Sequence, residues 1–254
     1  MGSLSAGEII AIALAGMAAG TINTVVGSGT LITFPVLLAF GYAPVTANVS
    51  NTIGLVPGSI SGAIGYRREL AGQGRRALRL GVASLLGGVT GAVLLLVLPA
   101  SVFNDIVPGF IALALVLTVA QPRLNRSLSG HVASGARRVR LLLPLAIFTT
   151  GVYGGYFGAG QGILLLAILG VTLAQSLHDT NALKNVLAGL VNGVAGVYFV
   201  FAAHVEWGPA AIIAGASIVG GQLGARYGRR LPPDALRALI VLVGLAAIVR
   251  LLTE

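Results

Sequence analysis

The sequence predicts an all-α polytopic membrane protein built as two inverted repeats, each a glycine-broken helical hairpin followed by three transmembrane helices. Three observations predict it. Of the 254 residues, 56% are hydrophobic and only 9% charged, a balance that a soluble domain of this size does not keep. The second half also repeats the first: Gly20, Gly27, Gly29, Gly62 and Gly65 fall on Gly151, Gly158, Gly160, Gly193 and Gly196. Ser84, Gly87, Gly88, Gly91 and Ala92 likewise fall on Ser217, Gly220, Gly221, Gly224 and Ala225. Finally, the arginines crowd into alternate connections between apolar spans, which orients the chain. Residues 1–254 read as a single transmembrane domain, with repeat 1 over 5–120, a basic linker over 121–140 and repeat 2 over 141–254.

The first apolar span, 8–26, has no Lys or Arg ahead of it, so it reads as a membrane segment and not as a cleaved signal peptide. It ends at the break GSGTLITFP, after which the span 29–42 is too short, at about 1.5 Å per residue, to cross a hydrocarbon core of about 30 Å. Irregular backbone at that depth is tolerated when buried in protein or lining a cavity, so 8–42 reads as a hairpin whose ends return to one side. Spans 45–66, 78–98 and 103–120 complete the first repeat. The second has the same order: 141–158, the break GAGQG, a short span 161–173, then 176–202, 209–227 and 235–252. Small residues spaced four apart (Gly16/Gly20, Gly54/Gly58/Gly62, Gly87/Gly91, Gly189/Gly193, Gly220/Gly224/Gly228) predict close helix approach. Trp207 and Tyr66 read as interfacial anchors.

Arg67, Arg68, Arg75, Arg76 and Arg79 follow the third span. Arg123, Arg126, Arg137, Arg138 and Arg140 join the halves, and Arg226, Arg229, Arg230 and Arg237 lie between the last two spans. The connections near 99–104 and 203–208 hold no Lys or Arg. One arrangement fits: the basic loops are cytoplasmic, both termini are external, and the protein sits in the inner (cytoplasmic) membrane. Arg250 is the exception. Each repeat then makes an odd net number of crossings, so the second copy is inverted relative to the first. The net charge of +9 is accounted for by topology, since the arginines lack interleaved aromatics, and nucleic acid is not an expected partner.

The repeat fails at one position of interest. Ile53 aligns with Lys184, the only lysine in the chain. Helical spacing puts Asn181, Lys184, Asn185, Ala188, Asn192 and Gly196 on one face, a polar and cationic stripe, whereas Ser50, Gly54, Pro57, Ser61 and Gly65 form a small, weakly polar face on the matched span, with Asn51 near its outer end. A lysine in hydrocarbon costs at least a few kcal/mol, so it faces the bundle interior or water and has a partner. Asp179 is poorly placed to be that partner. Two readings remain open: a point charge for an anionic substrate, or an ammonium satisfied by asparagines and broken-helix carbonyls of a neighbouring hairpin.

The half-helices that begin after each break would point N–H groups and a positive dipole end inward. Gly27, Ser28, Gly29 and Thr30 at one tip, and Gly158, Gly160, Gln161 and Gly162 at the other, are therefore candidate anion ligands beside Lys184, Asn181, Asn185, Asn192, Asn51 and Ser50. His178 and Asp179 cap the cytoplasmic start of 176–202, with a proton relay as the alternative. His204 and Glu206 read as solvated. The chain has no cysteine, and no nucleotide-binding fingerprint, HExxH or GxSxG motif occurs, so neither an enzyme nor a cofactor or metal site is expected.

The stretches GSGTLITFPVLL, APVTANVSNTIGLVPGSISGAIGYRREL, GYFGAGQGILLLAILG and ALKNVLAGLVNGVAGVYFVFAAHVEW resemble the TauE/SafE sulfite exporter family, over essentially the whole chain. The resemblance implies movement of sulfite, sulfoacetate or other organosulfonates, or thiosulfate, across the bacterial cytoplasmic membrane. Its thiosulfate-uptake branch uses cysteines, which disfavours that branch here, and GSGT departs at Ser28 from the commoner three-glycine form. Export of a small sulfur oxyanion is the leading expectation. Uptake or proton-coupled transport of another small anion, and a non-transporting membrane scaffold subunit, are the alternatives, and a homo-oligomer is left open.

Overall fold

The computed structural model describes residues 4–128, 136–173, 175–228 and 233–253. Ten α-helices follow in the expected order: α1 Ala6–Val25, α2 Thr30–Ala39, α3 Pro44–Gly65, α4 Gly74–Val97, α5 Ala100–Leu128, α6 Ala136–Tyr156, α7 Gln161–Thr172, α8 Leu177–Ala202, α9 Trp207–Tyr227 and α10 Pro233–Thr253. Among the described residues there is no strand, and five helices (α1, α4, the Ala100–Arg123 part of α5, α8 and α9) are long and apolar enough to cross a membrane. Large apolar side chains line the outside, such as Phe201 at 86% exposed. The basic linker expected over 121–140 is shorter than anticipated, because α5 continues to Leu128 and α6 starts at Ala136. Arg and Leu are good helix formers, so the helices outlast their apolar spans.

The two hairpins are cut in the same way at aligned positions. The N–H groups of Val26 and Gly27 both donate to the Ile22 carbonyl (2.7 and 2.9 Å), and those of Phe157 and Gly158 to the Tyr153 carbonyl (3.0 and 3.1 Å). Gly27 and Gly158 take φ of 94° and 79°, the left-handed conformation that closes a helix end and that glycine adopts without a Cβ penalty.

Glycine also sets the packing. A Cβ on Gly20 would be driven into the Ser217 carbonyl, and one on Gly220 into that of Met17, along the seam of α1 and α9. Gly87 and Gly91 meet the Phe148 and Val152 carbonyls in the same way along the seam of α4 and α6. These seams correspond under exchange of α1–α5 with α6–α10, as do α3 on α9 with α8 on α4, and α2 on α10 with α7 on α5. At the centre, α3 and α8 cross antiparallel: Ser59 faces Gly189, while Ile53 and Val56 face Gly196. Hydroxyls stitch the seams, with Ser84 donating to the Leu187 carbonyl and Ser217 to that of Gly54, both at 3.0 Å. The small face of α3 is spent on this packing, since Ser61 Oγ donates to the Ile218 carbonyl (2.8 Å) and Gly65 lies against Ala225.

Three sequence readings change. Gly189 and Gly193 do not require a close approach: a Cβ on Gly189 would meet Ser59 at an ordinary 3.5 Å and one on Gly193 nothing within 4 Å, and both line an apolar crevice between α3, α4 and α8. Tyr66, the C-cap of α3, is buried at 4% exposed, while Trp207 is half exposed as an anchor would be. Arg250, the exception to the charge pattern, has a local partner, since its guanidinium donates to the Ala39 carbonyl at 3.0 Å. A cation there caps the end of α2 and meets the negative end of its dipole.

Gly91→Ala will therefore push α4 from α6 and destabilise the protein by about 1–3 kcal/mol, whereas Gly193→Ala will leave the midpoint unchanged or raise it. Thermal unfolding in detergent, followed by Trp207 fluorescence, reads both.

Candidate functional site

The two breaks meet. Gly162 N–H donates to the Gly27 carbonyl at 3.0 Å, and a Cβ on either glycine would overlap the other's Cα. At this junction the first amides of α7 are already engaged, Gln161 N–H by the Gly158 carbonyl (3.1 Å) and Gly162 N–H by Gly27. The amide donors expected to be free at this tip are therefore in use. Two side-chain groups remain instead: Ser28 Oγ and Gln161 Nε2, 1% and 3% exposed as residues, are buried without a hydrogen-bond partner.

Lys184 is 0% exposed and reaches the end of α1. Its Nζ donates to the Asn23 carbonyl at 2.8 Å and to the Thr24 carbonyl at 3.2 Å. Asn181 and Asn185 donate their Nδ2 groups to the same Thr24 carbonyl, at 3.1 and 3.3 Å. The cause is local. A helix leaves its last carbonyls without intrahelical partners, and α1 ends inside the protein where water cannot serve them. The negative end of the α1 dipole partly balances the ammonium, and no carboxylate pairs with it among the described residues. The broken-helix carbonyls that the sequence left as one of two readings are its partners in this conformation. Its Cδ would lie 3.0 Å from a Cβ on Gly162, so the lysine stem passes beside the junction of the tips.

The other hairpin is capped from the opposite repeat as well. Asn48 Nδ2 on α3 donates to the Tyr156 carbonyl at the end of α6, at 3.0 Å. Asn51 bonds Thr33 and, at 3.5 Å, Thr30 Oγ1, which ties α3 to the first turn of α2 near the tip. Two predicted site residues lie elsewhere. Ser50 Oγ accepts from Glu206 N–H (2.9 Å) at the start of α9, and Asn192 Nδ2 donates to Ser59 Oγ (3.2 Å) where α3 and α8 cross. Ser176 is the N-cap of α8, accepting from Asp179 N–H (3.1 Å) and donating to its carboxylate (2.7 Å). His178 lines a recess of about 130 Å³ together with Tyr66, Gln121 and Asn181. His204 Nε2 lies 3.4 Å from Glu206 Oε1 at the exposed start of α9.

A model of the sulfite exporter TauE/SafE family matches residues 12–251. The chain belongs to that family. Among similar proteins, the probable membrane transporter protein ORF9 of Sinorhizobium sp is 30% identical over 246 residues, covering 95% of this chain and 91% of the relative. The probable membrane transporter protein YfcA of Escherichia coli K12 is 28% identical over 251 residues, covering 94% and 87%, and one from Haemophilus influenzae is 25% identical over 229 residues, covering 90% and 88%. No solved structure matches. This TauE/SafE chain is thus a multi-pass membrane protein of a transporter family.

Some features of this family member carry little sequence signal. The Asn23 and Thr24 contributions are backbone carbonyls, which any residue would supply. Tyr153 OH donates to the Ala159 carbonyl inside the second break, and Phe110 packs edge-on to Tyr153 (centroids 5.2 Å) while Phe34 packs edge-on to Phe157 (5.1 Å). Aromatics directly ahead of GAGQG were the available clue. They pack beside the breaks.

Gly27→Ala will combine left-handed strain with loss of the tip contact, whereas Gly41→Ala, at φ 83° with nothing within 4 Å, meets strain alone. The drop in thermal midpoint will be larger for Gly27→Ala, by a margin worth about 1–3 kcal/mol.

Proposed function

We propose that this chain is a secondary transporter that exports sulfite or a small organosulfonate across the cytoplasmic membrane, with Lys184 as its central cationic ligand. One observation carries the reading: a fully buried ammonium is held by two carbonyls and, among the described residues, by no carboxylate, next to two touching helix breaks that leave Ser28 Oγ and Gln161 Nε2 without partners. Carbonyl dipoles compensate a full charge incompletely, so an anion complements this site and a cation does not. Sulfur oxyanions have several oxygens to receive N–H and O–H donors together with the lysine. Asn181, Asn185, Thr30 and Asn51 stand close enough to the junction to serve as further donors once the tips part.

Antiparallel crossing of the matched helices α3 and α8 supports the reading as inverted repeats, in which alternate opening of two halves exposes one central site to either side. Export needs no elaborate engine. With the cell interior negative, a departing monoanion gains about 2.3 kcal/mol per 100 mV. The basic connections support a topology with the α3–α4 and α9–α10 loops in the cytoplasm and both termini outside.

In proteoliposomes loaded with sulfite, Lys184→Gln and Lys184→Ala will insert normally but lose at least nine-tenths of efflux. Lys184→Arg will also fail, because a planar fork does not replace a compact ammonium on two carbonyls. Undiminished efflux from Lys184→Ala would falsify the assignment. The natural chain lacks cysteine, so Ala71→Cys and His204→Cys report topology directly: an impermeant maleimide applied outside intact cells will label residue 204 and spare residue 71. Labelling of both from one side sinks the inverted arrangement.

A further inference from the structure

Beyond the lysine, the face of α8 continues toward an open end. His178, Asn181 and Lys184 follow at intervals of three, which stacks them on one helix face. His178 is exposed, Asn181 is 7% exposed and Lys184 is fully enclosed, so the row descends from the surface into the core. The recess of about 130 Å³ is lined by His178 and Asn181 of this row, with Lys184 deeper and outside its lining, and sits between the ends of α1, α3 and α9, the start of α8, the last third of α5 and the middle of α7. It has room for about four waters or one small polyatomic ion.

Two residues that line it each carry an unmet oxygen. Asn181 Oδ1 and Gln121 Oε1 are both buried without a hydrogen-bond partner, on residues more than nine-tenths buried. For Asn181 the orientation follows from its other bond: Nδ2 donates to the Thr24 carbonyl, and reversing the amide would oppose two oxygens. A buried acceptor without a donor is destabilising, and the shortfall disappears when a ligand brings an O–H or N–H. A bare cation would also satisfy oxygens, but Lys184 stands one turn deeper on the same helix face and repels it.

Resting on the anion-transport reading, we propose that this recess is a recognition subsite that selects small oxyanions bearing an O–H or N–H donor. Gln121 and Asn181 accept from the donor end, while the oxyanion end addresses the Lys184 row. Gln121 on α5, which the sequence placed in the linker between repeats, becomes a specificity-determining residue.

Isethionate and ethanesulfonate test this, since they share a two-carbon sulfonate and differ by one hydroxyl. Counterflow with the full-length protein in liposomes will give isethionate a kcat/KM about tenfold or more above that of ethanesulfonate. In Gln121→Met, similar in length and apolar, that ratio will fall toward one. Equal use of the two sulfonates by the natural protein would mean that water satisfies both oxygens and would overturn the subsite while leaving the transport reading intact, and full preference retained in Gln121→Met would do the same. Movement of sulfite but of neither sulfonate also overturns the subsite. Failure to move sulfite or either sulfonate overturns the transport reading, and the subsite with it. Should Gln121→Met fail to fold, the comparison within the natural protein still decides.

Discussion

The architecture turns on carbonyl groups that end inside the protein. A helix that ends at the surface delivers its unpaired carbonyls to water, but α1 and α6 end inside the protein, and each must find donors within the fold. For α1 the donors come from Lys184, Asn181 and Asn185; for α6, from Asn48. In both cases the donor belongs to the long helix of the other repeat. Neither half can therefore complete its own hairpin. The donors lie in the opposite half of the chain, and the packing of α1 along α9 and of α6 along α4 crosses between the halves in the same way.

Glycine makes that interdependence sterically feasible. Seams in which a Cβ would strike a carbonyl of the facing helix bring backbones close enough for serine hydroxyls to bridge them, as at Ser84 and Ser217. In lipid such contacts substitute for a hydrophobic driving force, because the hydrocarbon outside is as apolar as the core within. The same residue type permits the left-handed turns at Gly27 and Gly158. A single compositional choice thus sets both the packing and the breaks that the packing has to hold.

The ten helices and their breaks were legible because apolar length, arginine spacing and the internal repeat all report backbone course. Their pairing into seams was legible only in part: Gly87 and Gly91 seat a helix, while Gly189 and Gly193, with the same spacing, line a crevice. Spacing shows that a close approach is allowed, and the partner's position decides whether it occurs. Lys184 stood out as the unmatched cation, but its carbonyl partners are backbone atoms of Asn23 and Thr24 and leave no side-chain signature. Ser50 and Asn192 share a helix face with other predicted residues yet bond elsewhere, at the α9 start and the α3–α8 crossing. Arg250 was an exception to charge topology until the end of α2 supplied its local reason.

The two caps are unequal in kind. Asn48 holds one helix end with a neutral amide at a single carbonyl, whereas Lys184 holds the other with a charged donor shared over two. Hydrogen bonds to charged groups are worth roughly twice those between neutral ones. Prying apart the α1 end strips an ammonium of its cage, and prying apart the α6 end frees only an amide. The two halves therefore match in the seams they form but not in the hydrogen bonds that hold their breaks: one is fastened by an amide, the other by an ammonium.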